Sequence, residues 1–547
     1  MNYKTLVQHY ESVCSRFGWE PRPAINKSLE SLEELLQDEE PNVIIMELPT
    51  GYGKSTMTLA LAEAAILGNQ YFSKVIHVLP MRSIADDLYS RLKDWFYKLD
   101  LNSESIGVQH MGLPGSPFFA KKCVVVTLDT FMLNLFKAPA YELAKLLKHN
   151  VAHFEFPRGN IYSSMVVFDE FHLFSPMATY KEEAKNLGTT IKAIVLLALT
   201  GVPIIIMSAT MPNKLVQTIE SELRNNGIKK EKIKYEPSKD KFEETRSKKK
   251  LVLKLCHENI VDLIIKKRKQ KKKVLAVINE VKNTVEIYKA LKEFKPLLLH
   301  GRLPEKVKKE NSEKLKKVEL LIATQVVEAG IDASFDVLIS EICPPDRLIQ
   351  RMGRVARSSG HNEGEVLIVK PLSEYGVYDR GILEDTLRCI ARMSSDEYRS
   401  RPYIEYKLHE IMNNEIYDRR EPPRFERDLM KALEMLDIYP VLDKNMAQKI
   451  LREFNGLTDS FGIVTAFEGK DLTNKDYLEY AVGLSEDMAK NALRRTAKVV
   501  KDGRIKEISS STLNKLLKGS SLSLSLIDMD LEGIIVEKID KETGYVG

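Results

Sequence analysis

Short apolar runs recur along the chain, each closed by a polar or glycine-bearing turn: Val43 to Met46, Lys74 to Leu79, Cys123 to Thr127, Met165 to Phe168 and Val202 to Met207. Runs of this length predict buried strands, and the stretches between them, such as Ser55 to Leu67 and Ile191 to Leu199, predict helices. Strands alternating with helices describe a parallel sheet. From Lys229 to Lys250 the chain turns polar and charge-rich, which predicts a linker. A second alternation follows: a strand over Val274 to Ile278, a helix over Val281 to Leu291, then strands at Pro296 to Leu299, Glu319 to Ala323 and Asp336 to Ile339.

The expected organisation is α/β. Residues 1–235 form a helical lead-in and a first sheet lobe, 236–250 a linker, 251–374 a second lobe and 375–547 a smaller accessory domain. In that tail Ser521 to Leu526 alternates as a strand should, Ile534 to Val536 predicts another strand, and Ser485 to Lys501 reads as a helix.

Composition adds limits. At 547 residues the chain exceeds what one core usually supports, so several domains are expected. A net charge of +5, from 82 basic and 77 acidic residues, is too small to identify a polyanion partner, so any nucleic-acid surface is local. The run Lys266 to Lys273 carries seven positive charges and is expected to be a solvated helix end and turn. Five widely spaced cysteines with no C-x-x-C pair argue against a disulfide framework or a zinc ribbon. The start lacks a signal-peptide apolar segment, and the longest apolar run falls short of the roughly 20 residues of a membrane span. A cytoplasmic protein without membrane contact is expected.

Four local patterns carry chemistry. After the first apolar run comes Pro49-Thr50-Gly51-Tyr52-Gly53-Lys54-Ser55-Thr56, a glycine turn opening a helix. Backbone N–H groups in such a turn point inward and the helix N-terminus carries partial positive charge, so the segment predicts a phosphate cradle. Lys54 would hold the β- and γ-phosphates of ATP, and Ser55 would ligate Mg²⁺. Leu48 stands where the full pattern has its first glycine. The run Met165 to Phe168 ends in Asp169-Glu170-Phe171-His172. Asp169 would hold Mg²⁺ and Glu170 would orient the attacking water, because catalysis of phosphoryl transfer is mainly positioning and charge stabilisation. Ser208-Ala209-Thr210 closes the next strand, and His172 is expected to bond toward it or toward Gln350. Lastly, Gln350, Arg354 and Arg357 fall at i, i+4 and i+7, which predicts one helical face able to bring a guanidinium to the γ-phosphate.

Taken together, Pro49 to Ser55, Asp169 to His172, Ser208 to Thr210, Thr324 to Asp332 and Gln350 to Arg357 resemble, in order and role, the motifs of a superfamily 2 DExH helicase. The resemblance spans about residues 20 to 370 and implies two RecA-like lobes closing on ATP. It further implies that Gly330 and Asp332 line the nucleotide and that His172, Ser208 and Thr210 couple hydrolysis to nucleic acid. Arg82, Thr127, Asn279 and Thr324 would contact a single strand. Phe17 to Asn26 resembles the adenine-reading segment, with Asn26 where the family usually has glutamine.

Within that superfamily the chain looks like the CRISPR-associated helicase of type I interference systems, on Glu47 to Ser55, Asp169 to His172, Leu298 to Arg302 and Ala323 to Asp332. That likeness implies an ATP-dependent motor on single-stranded or R-loop DNA, working with a guide-RNA effector complex. Many members carry an HD-type nuclease domain ahead of the helicase. Here no histidine is followed by aspartate, so the expected arrangement is a helicase with its HD nuclease on a separate polypeptide. A DExH RNA helicase, or a recruitment subunit whose ATPase is secondary, are the alternatives.

Overall fold

The computed structural model describes residues 3–38, 42–110, 113–149, 151–175, 177, 185–328, 333–357, 362–373, 377–421, 424–438, 446–458, 463–473, 477–519 and 521–546. The chain forms two compact units, residues 1–244 with 417–459 and residues 245–416 with 460–547.

The first unit is built on eight strands: β1 (Asn42–Glu47), β2 (Lys74–Leu79), β3 (Ile106–His110), β4 (Leu113–Pro114), β5 (Cys123–Thr127), β6 (Ser164–Phe168), β7 (Ile204–Ser208) and β8 (Lys229–Lys234). Their order is β4-β3-β5-β2-β6-β7-β1-β8, parallel except for the β3–β4 pair. Val43 to Met46, Val166 to Phe168 and Ile204 to Met207 are almost fully buried, as strands covered on both faces require. In register, Glu47 lies opposite Ser208 and Val78 opposite Phe168. The strand ends leading to Leu48, Pro80, Asp169 and Ala209 therefore share one edge of the sheet. Ligands gather at that carboxyl edge in open parallel sheets.

Two expectations about this unit need correcting. Lys229 to Lys234, inside the expected first lobe but read from its polar composition as connector, is edge strand β8, parallel to β1. An edge strand has one neighbour and can leave lysines in water, so it lacks the apolar run of an inner strand. Likewise residues 417–459, expected in the C-terminal accessory domain, belong to the first unit. Their helix Arg427–Ile438 packs on the helix Lys185–Leu199, where Lys192 pairs with Glu434 at 3.2 Å. The Thr189 hydroxyl donates to the Leu457 carbonyl at 2.9 Å.

The second unit holds β9 (Lys250–Cys256), β10 (Val274–Val277), β11 (Leu297–Leu299), β12 (Leu320–Ala323), β13 (Val337–Glu341), β14 (Glu363–Val369) and the short antiparallel β15 (Arg399–Ser400), ordered β11-β12-β10-β13-β14-β9-β15. The two large sheets are two RecA-like lobes. The lysine run ends the helix Ile260–Lys269 and turns into β10, its cations pairing locally: Lys267 with Glu365 at 2.5 Å and Arg268 with Glu319 at 3.3 Å.

A smaller sheet belongs to the same unit: β16 (Val464–Glu468), β17 (Val482–Leu484), β18 (Lys498–Lys501), β19 (Arg504–Glu507) and β20 (Gly533–Val536). Ile534 to Val536 is a strand, as expected. Ser521 to Leu526 is not: Leu522–Asp528 is a helix, capped by the Ser521 hydroxyl, which accepts from the Leu524 N–H at 3.4 Å. Leu522, Leu524 and Leu526 are all buried although they point to different sides of the helix, so the alternation carries no strand information. The helix expected over Ser485 to Lys501 stops at Thr496. Ala497 then turns left-handed (φ 47°) and β18 begins.

Candidate nucleotide site

The phosphate loop leaves β1 at the carboxyl edge. Gly51 and Gly53 take φ of 81° and 108°, which side chains disfavour, and the helix Lys54–Leu67 begins directly after them. The Thr56 hydroxyl donates to the Gly53 carbonyl at 2.6 Å and fixes the first turn. Lys54 is only 9% exposed, yet among the described residues its ammonium makes no hydrogen bond or ion pair. The charge that acts on it is the Asp169 carboxylate, too far away to form an ion pair, so the ammonium keeps its hydrogen-bonding capacity for an added anion. The residues present therefore fit a phosphate group. Tyr52 is the exception in the loop, because its ring is buried (1% exposed) and only its backbone lines the cradle.

At the end of β6, Asp169 is 7% exposed and Glu170 adopts a left-handed backbone, φ 51°. Strain of this kind in a non-glycine residue persists only where surrounding structure enforces it. The Glu170 N–H donates to the Asp169 carboxylate at 2.7 Å. On the neighbouring strand β2, His77 places Nε2 at 3.4 Å from Asp169, while its Nδ1 meets the Thr58 hydroxyl at 3.0 Å. Burial raises the Asp169 carboxyl, but His77, Lys54 and the Glu170 N–H outweigh it, so its pKa lies below the usual carboxylate range. Asp169 is thus an oriented carboxylate, suited to a divalent cation, and Ser55 lies at the start of the facing helix.

The bond expected of His172 toward the Ser208 to Thr210 turn is made. His172 Nδ1 lies 2.8 Å from the Ser208 hydroxyl, which donates to the Thr210 carbonyl at 2.9 Å. Thr210 is fully buried, and among the described residues its hydroxyl has no partner.

The remaining predicted positions divide. Arg82 is exposed and opens the helix Arg82–Lys98. Thr127 is 3% exposed, its hydroxyl donating to Thr130 at 3.2 Å. In the second unit Thr324 is 3% exposed at the end of β12. Asn279 is 4% exposed and its amide is committed internally, donating to the Ile342 carbonyl at 3.0 Å and accepting from Arg351 at 3.1 Å. Gly330 and Asp332 lie outside the described residues.

The shared helical face expected for Gln350, Arg354 and Arg357 does not form. The helix is Pro345–Met352, and beyond it the backbone pairs with Phe335: Ala356 N–H to Phe335 carbonyl at 2.9 Å, Phe335 N–H to Arg354 carbonyl at 3.0 Å. Gln350 is 1% exposed on the helix. The Arg354 guanidinium donates to the Val327 and Glu328 carbonyls at 3.1 and 2.8 Å, while Arg357 is exposed. The buried centre of this helix is Arg351, which pattern reading passed over. It bonds to Glu328, Ser340, Asn279, Tyr378 and the Glu341 carbonyl. His77 was also missed, although one histidine inside an apolar strand was a readable signal.

Residues 28–219 match the DEAD/DEAH box helicase family, and residues 270–360 match the family described as CRISPR-associated nuclease/helicase Cas3, C-terminal. The phosphate loop, Asp169-Glu170 and Ser208 to Thr210 all fall inside the first match, and Gln350 to Arg357 inside the second. Among curated relatives, a putative CRISPR-associated nuclease/helicase Cas3 of Methanocaldococcus jannaschii is 28% identical over 354 residues, 59% of this chain and 45% of that one. The CRISPR-associated nuclease/helicase Cas3 of Methanothermobacter thermautotrophicus is 24% identical over 461 residues, 76% of this chain and 51% of that one. The chain therefore spans about half the length of the curated relatives it matches. The fold of the T. fusca Cas3–AMPPNP crystal structure is similar, with a TM-score of 0.59 at 16% identity over 88% of this chain and 65% of that one. Among the described residues no helix is long and apolar enough to cross a membrane.

Proposed function

We propose that this chain is an ATP-dependent DNA helicase or translocase of CRISPR interference. The observation that carries the reading is Lys54, 9% exposed at the mouth of a left-handed glycine loop and within electrostatic reach of the oriented Asp169 carboxylate on the same sheet edge. The loop amides and Lys54 bind the phosphates, and Ser55 and Asp169 hold Mg²⁺. Mg²⁺ held by Ser55 and Asp169 would supply positive charge against the charge that develops on the phosphates. Glu170, whose backbone strain fixes where its carboxylate emerges, orients the attacking water and accepts its proton.

Phosphoryl transfer also calls for an arginine that stabilises charge on the γ-phosphate. With the Arg354 guanidinium bonded to the backbone of Val327 and Glu328, Arg357 is the proposed finger and Arg354 its support. The His172–Ser208–Thr210 chain links hydrolysis to the nucleic-acid path past Arg82. Contacts to backbone rather than bases make binding sequence-independent and salt-sensitive. The CRISPR-associated names of the relatives support DNA displaced by a guide-RNA effector complex as the substrate.

The test is ATP-dependent strand displacement on 3′- and 5′-tailed DNA and on the matching RNA, with and without a companion nuclease. Lys54→Ala and Glu170→Gln are expected to abolish displacement and nucleic-acid-stimulated ATPase. Full stimulated ATPase in either variant refutes the roles of Lys54 and Glu170, and stimulation by RNA alone refutes the DNA assignment.

A further inference from the structure

The phosphate loop carries a side chain that the chemistry above does not use. Tyr52 sits between two left-handed glycines, and its phenol points away from the cradle into a buried cluster. The hydroxyl accepts from the Ala24 N–H at 3.1 Å and donates to the Asp240 carboxylate. Burial, reinforced by the Asp240 carboxylate, holds this phenol protonated far above its ordinary range, so it is the donor in that bond. Tyr235 and Phe242 pack edge-on against the ring, with centroids 5.2 and 5.3 Å away, and Arg22 lies over the Phe242 ring at 4.8 Å.

Asp240 has a second commitment. It is 7% exposed, and its other oxygen accepts from the Phe242 N–H at 2.8 Å, with Arg22 at 3.9 Å. It thereby caps the helix Lys241–Ser247. The chain passes from the first unit to the second within that helix, between Glu244 and Thr245. One carboxylate thus holds the middle of the phosphate loop with one oxygen and the start of the inter-unit helix with the other.

We propose that Asp240 is a positioning residue for nucleotide turnover, which sets the phosphate loop through Tyr52 and ties that setting to the helix entering the second unit. The proposal rests on the reading of the phosphate loop as the nucleotide site. The physical reason is leverage. Gly51 and Gly53 leave the loop conformationally soft, so a single anchored side chain between them decides where its N–H groups point. A displacement of the helix start has to move Asp240, and Asp240 cannot move without breaking or dragging a buried charge-assisted bond. Nucleic-acid stimulation requires such a path from one unit to the other, whereas simple nucleotide binding does not.

The test uses the full chain, a fluorescent ATP analogue for affinity, and ATPase with and without single-stranded DNA. Asp240→Ala is expected to lower the DNA-stimulated kcat about tenfold while the analogue's Kd stays within about threefold of wild type. Tyr52→Phe, which keeps the ring and removes the hydroxyl, is expected to lower the stimulated kcat to a similar degree. The double variant should lose no more than either alone, since both remove the same bond. The proposal is overturned if Asp240→Ala keeps its stimulated rate within about twofold of wild type, if the losses multiply in the double variant, or if the loss lies wholly in Kd. Should Asp240→Ala fail to fold, Asp240→Asn is judged by the same criteria, because it keeps the size and one oxygen for the Phe242 N–H. Wild-type chain that binds no ATP analogue overturns the nucleotide reading as well, whereas stimulated wild type with indifferent variants overturns only this proposal.

Discussion

His300 should make the second unit acid-sensitive. It is 1% exposed, Nδ1 accepts from the Arg302 N–H at 3.1 Å, and Nε2 faces the Thr543 carbonyl at 3.1 Å. Only the neutral ring with its proton on Nε2 satisfies both neighbours. Burial brings its pKa down to about 4, with Lys308 and Arg302 acting in the same direction and the Thr543 carbonyl against them. The unfolded chain, with a histidine pKa of about 6.5, binds the proton more readily. Stability from this group is therefore fully present above pH 6.5 and is lost as pH falls toward 4. Integrating between pH 7 and pH 5 gives about 2 kcal/mol, or roughly 20-fold in an opening equilibrium. Both tryptophans, Trp19 and Trp95, lie in the first unit, so tryptophan fluorescence would miss the event. Hydrogen exchange over residues 298–303 and 540–546 reads it directly. After correction for intrinsic rates, protection there should fall roughly 20-fold between pH 7 and pH 5, and His300→Asn should remove the dependence. Protection that changes less than about twofold refutes the burial argument.

Three further outcomes are expected. Arg351→Met leaves Glu328, 3% exposed, without its main cation and should destabilise the second unit by about 3–5 kcal/mol, read from its unfolding followed by hydrogen exchange. His77→Phe removes the group that steadies Asp169 and should weaken Mn²⁺ binding in the presence of ADP roughly 10- to 100-fold, measured by electron paramagnetic resonance; unchanged affinity would leave His77 a packing residue. Gly544→Ala sets a Cβ 2.2 Å from the Arg302 carbonyl at a φ of 67°, and should release the turn Asp540 to Tyr545 at a cost of about 1–3 kcal/mol, seen as lost protection at 298–303 with nucleotide affinity intact.

What the sequence by itself determined is what short-range pattern controls. Buried parallel strands announce themselves as apolar runs, and a phosphate cradle needs strand, glycines, lysine and helix in uninterrupted order, so β1, Gly51 to Ser55, Asp169 and the two-lobe α/β plan were legible residue by residue. Strand β8 was not, because an edge strand needs only one neighbour and can keep its lysines wet. Tertiary structure alone decided the rest. It stopped the arginine helix at Met352, since the following backbone finds a partner in Phe335, and so it gave Arg354 buried carbonyl partners and left Arg357 exposed. It returned residues 417–459 to the first unit through contacts such as Thr189 with Leu457. It also joined Tyr52 to Asp240, 188 positions away, and His77 to Asp169 across neighbouring strands. Such pairs leave no period and no spacing in the chain, because what selects them is the need of each buried polar group for a partner, and that partner is chosen only when distant segments pack together.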